Sequence, residues 1–187
     1  MGEFIYDFSM DELKERVTPG FRAKQIYDWL YAKYVTSFED MKNIPKDMQA
    51  KLGEEFSMGA LALEYISLSK DGSKKYLFRT SDGHSFEAVM LLMREEERDE
   101  EGKIVEGSRH TLCLSTQIGC KIGCAFCLTA KGGFVRNLSA GEIVYQVVAI
   151  KKDLALPPAK SLNIVYMGMC EPLDNFDNLT KAIKIIA

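Results

Sequence analysis

At 187 residues the chain is long enough for one ordinary core and a small satellite domain. Its 47% hydrophobic content fits a globular protein, and no run of residues stays apolar for the length of a membrane span. The opening Met1-Gly2-Glu3-Phe4-Ile5-Tyr6-Asp7 lacks the basic and apolar regions of a secretory signal. Five cysteines, three of them within eight residues, do not fit a disulfide framework. They point to reduced thiols in a cytoplasmic compartment, bound to metal or engaged in chemistry. The net charge of −3 is unevenly spread: residues 94–107 carry three basic and seven acidic side chains, whereas residues 108–187 carry nine Lys and Arg against five Asp and Glu. The basic, cysteine-bearing part is compatible with a phosphate backbone and equally with a solvated surface.

Residues 1–55 predict a small helical domain. Ser9-Met10-Asp11-Glu12 is a capping-box start, and Thr18-Pro19-Gly20 closes that helix. Ala23, Ile26, Tyr27, Leu30 and Tyr34 then recur at helical spacing, and Pro45 suits the first turn of a further helix through Met48 and Leu52. The expected packing centre is Trp29. From residue 60 to 93 the period changes to that of an antiparallel sheet: Leu61–Leu68, Tyr76–Arg79 and His84–Met93 are separated by Asp71-Gly72 and Asp82-Gly83 turn signals. The run 94–107 predicts a charged, solvated loop.

Residues 108–187 alternate strand and helix. Thr111–Ser115 reads as a strand that leads into a cysteine loop. Ser139-Ala140-Gly141-Glu142 opens a helix whose buried face is Ile143, Val144, Val147 and Ile150. Leu162–Met167 is an apolar run expected to be a parallel strand buried on both faces, and Leu179, Ala182, Ile183 and Ile186 mark another helix. Repeating β-α units imply an α/β fold with a parallel sheet or barrel, of which two units are too few for closure.

The strongest signal is Cys120-Lys121-Ile122-Gly123-Cys124-Ala125-Phe126-Cys127. Thiolates are soft ligands that suit iron-sulfur clusters and zinc. Spacings of four and three let one tight loop set three sulfurs on three corners of a cube, with Gly119 and Gly123 giving the backbone freedom. A zinc site completed by Cys113 or His110 is the simpler alternative, although no second Cys-x-x-Cys element accompanies the first.

A C-x-x-x-C-x-aromatic-C pattern after a first strand resembles the radical S-adenosylmethionine (SAM) superfamily. Thr111-Leu112-Cys113, Ser115–Cys120, Gly133–Leu138 and Met167–Leu173, with Phe21–Leu30 near the start, narrow the resemblance to the RNA adenine-C2 methyltransferases. The resemblance implies an incomplete radical-SAM partial (β/α) barrel over residues 108–187, preceded by the helical domain and the short antiparallel sheet. It implies a 4Fe-4S cluster on Cys120, Cys124 and Cys127. The open iron chelates SAM, which the reduced cluster splits to a 5′-deoxyadenosyl radical. The implied substrate is an adenine in large-subunit ribosomal RNA and, in some members, transfer RNA.

Several roles follow from the same resemblance. Phe126, Cys170 and Glu171 belong to the cofactor site. Cys113 matches a cysteine that resolves the protein–RNA crosslink through a disulfide with a methyl-carrying cysteine, and that second cysteine falls beyond residue 187. Glu87 matches a glutamate proposed to take the C2 proton. The family segment Gly-Met-Gly-Glu-Pro is Gly168-Met169-Cys170-Glu171-Pro172 here, so the side chain of Cys170 is expected to crowd SAM. Lys131 and Arg136 are candidate contacts to RNA phosphate. A flavodoxin-type electron donor, a monomeric state and no membrane association complete the expectation. Residues 1–187 alone are expected to hold cluster and SAM without completing the methyl transfer. Methylation at adenine C8 by a related branch, and a non-catalytic cluster- or RNA-binding remnant, are the alternatives.

Overall fold

The structure is a computed structural model, and it describes residues 2–187. Along the chain run β1 (Glu3–Phe4), α1 (Met10–Arg16), α2 (Phe21–Tyr31), α3 (Lys46–Glu55), β2 (Phe56–Ser57), β3 (Leu61–Leu68), β4 (Lys74–Thr80), β5 (Ser85–Arg94) and β6 (Glu97–Arg98). There follow β7 (Ile104–Glu106), β8 (Arg109–Cys113), β9 (Gln117–Gly119), α4 (Leu128–Lys131), β10 (Phe134–Asn137), α5 (Ala140–Asp153), β11 (Asn163–Val165) and α6 (Phe176–Ile186). These elements divide into two compact units. The first comprises Met1–Ala62, Leu138–Ala159 and Asn175–Ala187, and the second Leu63–Asn137 and Lys160–Asp174.

In the first unit, both sequence-predicted capping boxes form. Ser9 Oγ accepts from the Glu12 N–H at 3.3 Å while Glu12 accepts from the Ser9 N–H at 2.7 Å. Ser139 and Glu142 repeat the arrangement at the start of α5. Each box satisfies two helix-end donors that burial would otherwise leave without partners. Leu13, Ala23, Ile26, Leu30, Met41 and Ile44 are buried, as are Ile143, Val144 and Ile150 of α5. Burying a branched aliphatic side chain fully contributes about 1.5–3 kcal/mol, so this apolar set is the main source of cohesion.

Two expectations fail here. Trp29 is not the packing centre. It is half-buried, with its Nε1 donating to Asn43 Oδ1 at 2.5 Å and Lys33 lying over its ring at 3.7 Å. An indole N–H requires a partner, and the rim of the core supplies one. Tyr34 does not continue α2, which ends at Tyr31; its φ of 53° takes the chain out of the helix. The aromatic cluster lies elsewhere: Tyr6 packs edge-on to Tyr31 and Tyr145 with centroids 5.7 and 5.1 Å apart. The Gly141 N–H donates to Asp7 Oδ1 at 2.6 Å, and a Cβ at Gly141 would meet the Asp7 backbone nitrogen at 2.6 Å, so only glycine allows this approach.

The second unit holds a five-stranded sheet in the order β11-β8-β5-β4-β3. β8 and β11 are parallel, with Val165 opposite Cys113, whereas β5 is antiparallel to β4 and β8. The buried face carries Tyr76, Phe78, Phe86, Ala88, Met90 and Leu112, and the Phe78 and Phe86 rings stack at 5.5 Å. Gly72 and Gly83 make the two turns at φ of 79° and 87°. A separate antiparallel pair, β9 with β10, sets Arg136 opposite Ile118.

Residues 94–107 are not a plain loop. β5 extends through Arg94, and β6 pairs with β7 as an exposed ribbon, Glu97 opposite Glu106. Asp99 organises its tip by accepting from the Glu101 and Lys103 N–H groups. The Leu162–Met167 run likewise departs from expectation. Its ordered core is three residues, exposed or half-buried, because β11 is an edge strand of this sheet. No described helix is long and apolar enough to cross a membrane.

Candidate cysteine-loop site

The site is built where β8 ends. Cys120 is buried, Cys124 exposed and Cys127 half-buried, and all three are free thiols. The Cys120 N–H donates to the Gly133 carbonyl at 3.0 Å, which ties the start of the loop to the segment before β10. Gly119 turns the chain at φ 74°, and a Cβ there would collide with that same carbonyl. Any side chain at 119 would separate the two segments. The Cys127 N–H closes the loop onto the Cys124 carbonyl at 3.0 Å. The Ala130 N–H, opposed by slight burial and joined by Thr129, pulls the Cys127 thiol below its ordinary range, which favours its thiolate. Phe126 and Leu128 are 93% and 80% exposed, so the loop holds its large apolar side chains outward.

Behind the loop lies a set of buried polar side chains that sequence reasoning left without roles. Ser115 and Gln117 have no solvent exposure. Ser115 Oγ donates to the Glu87 carbonyl at 2.6 Å and accepts from the Met169 N–H at 2.8 Å, while the Gly168 N–H donates to the Leu114 carbonyl at 3.0 Å. Gln117 Oε1 accepts from the Glu171 N–H at 2.9 Å; its Nε2 donates to Asn137 Oδ1 and Asp174 Oδ2 at 2.9 and 2.8 Å. Asp174 also pairs with Lys121 Nζ at 2.8 Å, and that ammonium holds its carboxyl below the usual range. The segment Gly168–Glu171 is thereby stitched to β9 and to the cysteine loop. The signal for it was a polar Ser-Thr-Gln run between an apolar strand and a glycine turn, since buried polar groups must find partners.

Gly168 is the glycine this packing demands, because a Cβ there would meet Ser115 Oγ at 2.5 Å and the Leu114 carbonyl oxygen at 2.8 Å. Cys170, by contrast, has room. Its half-buried Sγ lies 3.6 Å from the Tyr166 carbonyl; burial raises the thiol, Thr116 lowers it, and Cys113 and Cys120 are its charged-state neighbours. Cys113 sits in β8 between Val89 and Val165, its thiol also raised by burial and eased by the Met167 backbone. Cys113, Cys120 and Cys170 therefore share one neighbourhood. Glu87 pairs with Lys75 Nζ at 3.0 Å and opens on a cleft of about 520 Å³ that Gly119, Leu128, Gly133 and Met169 also line. Glu171 Oε1 accepts from the Leu173 N–H at 3.1 Å.

The structure brings the two basic candidates to different situations. Lys131 is exposed at the end of α4. Arg136 already has its fork filled, donating to both carboxylate oxygens of Asp82 at 2.7 and 3.3 Å. Among the described residues no three His, Cys, Asp or Glu side chains converge on a metal-ion position. His110 lies toward the opposite end of β8 from the cysteine loop.

The chain is similar to known RNA methyltransferases. A family described as ribosomal RNA large subunit methyltransferase N-terminal domain matches residues 5–58. The chain is 57% identical over 183 residues to the dual-specificity RNA methyltransferase RlmN of Wolinella succinogenes, covering 98% of this chain and 51% of that protein. It is 54% identical to the protein of the same name from Aliarcobacter butzleri, again over 98% of this chain and 51% of the relative. A solved structure of a radical SAM methyltransferase from Sphaerobacter thermophilus superposes with a TM-score of 0.84 at 34% identity, over 98% of this chain and 52% of that one. The mixed α/β architecture is common to both. The chain thus spans about half the length of the relatives it matches.

Proposed function

We propose that this chain is the radical-generating half of an RNA methyltransferase that methylates C2 of an adenine in large-subunit ribosomal RNA and in transfer RNA. The observation that carries the reading is the stitching of Gly168–Glu171 to Ser115 and Gln117, the residues that lead into the cysteine loop. These contacts support a site shared by the three thiols and the Gly168–Glu171 backbone. The parallel pair β8 and β11 would be the first strands of a partial (β/α) barrel, whose ligands bind at the carboxyl ends of strands.

The donor set fits a 4Fe-4S cluster. Its three thiols are free and lie in one loop, and the Cys127 sulfur is already biased toward thiolate. A cubane ligated at separate corners does not need its cysteines to converge on one point, as a single ion would. When bound, the cluster supplies the electron that cleaves SAM. Cys120, Cys124 and Cys127 hold it. The Gly168–Glu171 backbone and the Glu171 carboxylate would orient the aminoacyl end of SAM, and the outward Phe126 ring is free to pack against bound SAM. Glu87 accepts the proton lost from adenine C2, within reach of the cleft it lines. Cys113, as thiolate, would resolve the protein–RNA crosslink by attacking the crosslinked cysteine sulfur, the S–S bond forming as the sulfur–carbon bond breaks and its electron pair leaves with the methylated base. A flavodoxin-type protein delivers electrons in the cytoplasm, and the enzyme works as a monomer.

Anaerobic reconstitution of this chain tests the first step. Iron and sulfide near about four per chain with a broad brown absorbance support the reading, and stoichiometric zinc overturns it. Mapping the methylated atom on RNA treated with the full-length protein separates C2 from C8 chemistry.

A further inference from the structure

At the end of the sheet away from the cysteine loop, Arg94, Arg109 and Lys160 surround a pocket of about 420 Å³ that Ser108, His110 and Asn163 also line. We propose that this pocket is a second ligand site, one that takes a phosphate group.

Charge in the pocket is unbalanced. Arg94 is engaged, paired to Glu106 and donating to the Gly107 carbonyl at 3.1 Å. Arg109 and Lys160 have no carboxylate partner among the described residues. Arg109 is instead held by a neutral group: the Asn163 carboxamide oxygen, in the orientation that satisfies its hydrogen bonds, accepts from Nε and Nη2 at 3.1 and 3.2 Å. That contact orients the guanidinium and leaves its Nη1 donors for a ligand. A planar fork beside an ammonium is the donor geometry that tetrahedral oxyanions favour.

The independent observation is His110. Its side chain lines the pocket, only 8% of the residue is exposed, and its Nδ1 is buried without a hydrogen-bond partner. An anion held by Arg109 and Lys160 would lie beside this imidazole, which therefore reports on what the pocket binds. Burial, with Lys160 adding to it, also lowers the His110 pKa. A bound anion opposes the effect of the Lys160 charge. Nothing in the pocket belongs to the cysteine loop, since Arg109 and Asn163 begin the parallel strands β8 and β11 whose far ends lead to it.

The chain has two histidines, so the imidazole signals of His110 can be followed against those of His84, which lines the Glu87 cleft and is the control in the phosphate titration. The full 187-residue chain is titrated with inorganic phosphate and, separately, with a short single-stranded RNA lacking terminal phosphates. The expected result is a saturable shift of His110 alone. Lys160→Ala and Arg109→Gln are each expected to weaken the midpoint about tenfold, as loss of one charge-assisted hydrogen bond does. A shift with RNA at lower concentration than with phosphate identifies a backbone phosphodiester, and a shift with phosphate alone identifies a free phosphate ligand. The proposal is overturned if neither ligand shifts His110, if His84 moves equally with phosphate, or if the folded Lys160→Ala chain titrates like the parent. None of these readouts depends on cluster or methylation, so failure here leaves the proposed function untouched.

Discussion

Helix α5 and the cysteine loop solve opposite problems with equally local means. In α5 the end donors are closed by Ser139 and Glu142, and the apolar side chains from Ile143 to Ile150 are buried almost all round. In the cysteine loop the backbone is fixed at only a few points, the Cys120–Gly133 and Cys127–Cys124 bonds among them, and Phe126 and Leu128 face outward. A segment that satisfies itself is a scaffold. A segment held at its ends, with thiols free and apolar side chains exposed, derives its order from what it binds.

That contrast is broken most directly by Cys124→Ala. Bound iron is expected to fall from about four per chain to almost none, while far-UV circular dichroism stays that of the parent. Loss of fold with the iron would show that the loop is scaffold after all. Ile143→Ala probes the other side. Opening a cavity under α5 is expected to cost about 2–5 kcal/mol in urea unfolding, with iron per folded chain unchanged.

A smaller effect sharpens the loop side. Cys170→Gly is expected to tighten SAM binding to reconstituted protein several-fold, about 1 kcal/mol, by clearing the approach along Gly168–Glu171. Equal affinities by calorimetry would mean that the Cys170 sulfur, turned toward Tyr166 and Thr116, lies outside the SAM path.

The smallest effect concerns the scaffold in acid. Burial acts to raise the Glu12 carboxyl, but hydrogen bonds from Lys181 and Ser9 prevail and bring it from 4.5 to about 2. Its folded-state pKa is depressed, so its contribution is complete above the unfolded value near 4.5 and is lost as pH falls through about 2. The pair is partly solvent-exposed, which limits this to less than about 1 kcal/mol. Lys181→Met should therefore be slightly less stable than the parent at neutral pH, with the gap closing toward pH 2 in urea titrations.

What was legible in the sequence is what depends on neighbours along the chain. Capping boxes at Ser9 and Ser139, the Gly72 and Gly83 turns, and the three-cysteine loop each lie within a few residues, where spacing and backbone preference decide the outcome. Trp29 was misplaced because burial of an indole depends on where its N–H finds a partner, here Asn43. The 94–107 run was misread because its charge spoke louder than the Asp99 turn that lets it pair with itself. The roles of Ser115 and Gln117 joined residues 54 positions apart, through contacts to Met169 and Glu171. Composition and spacing alone determined an α/β chain with a soft-ligand loop. Only the tertiary structure decided that Gly168 rather than residue 170 is the glycine its packing requires, and that His110 is buried in a basic pocket. Both follow from close approach between strands distant in sequence, which no local pattern encodes.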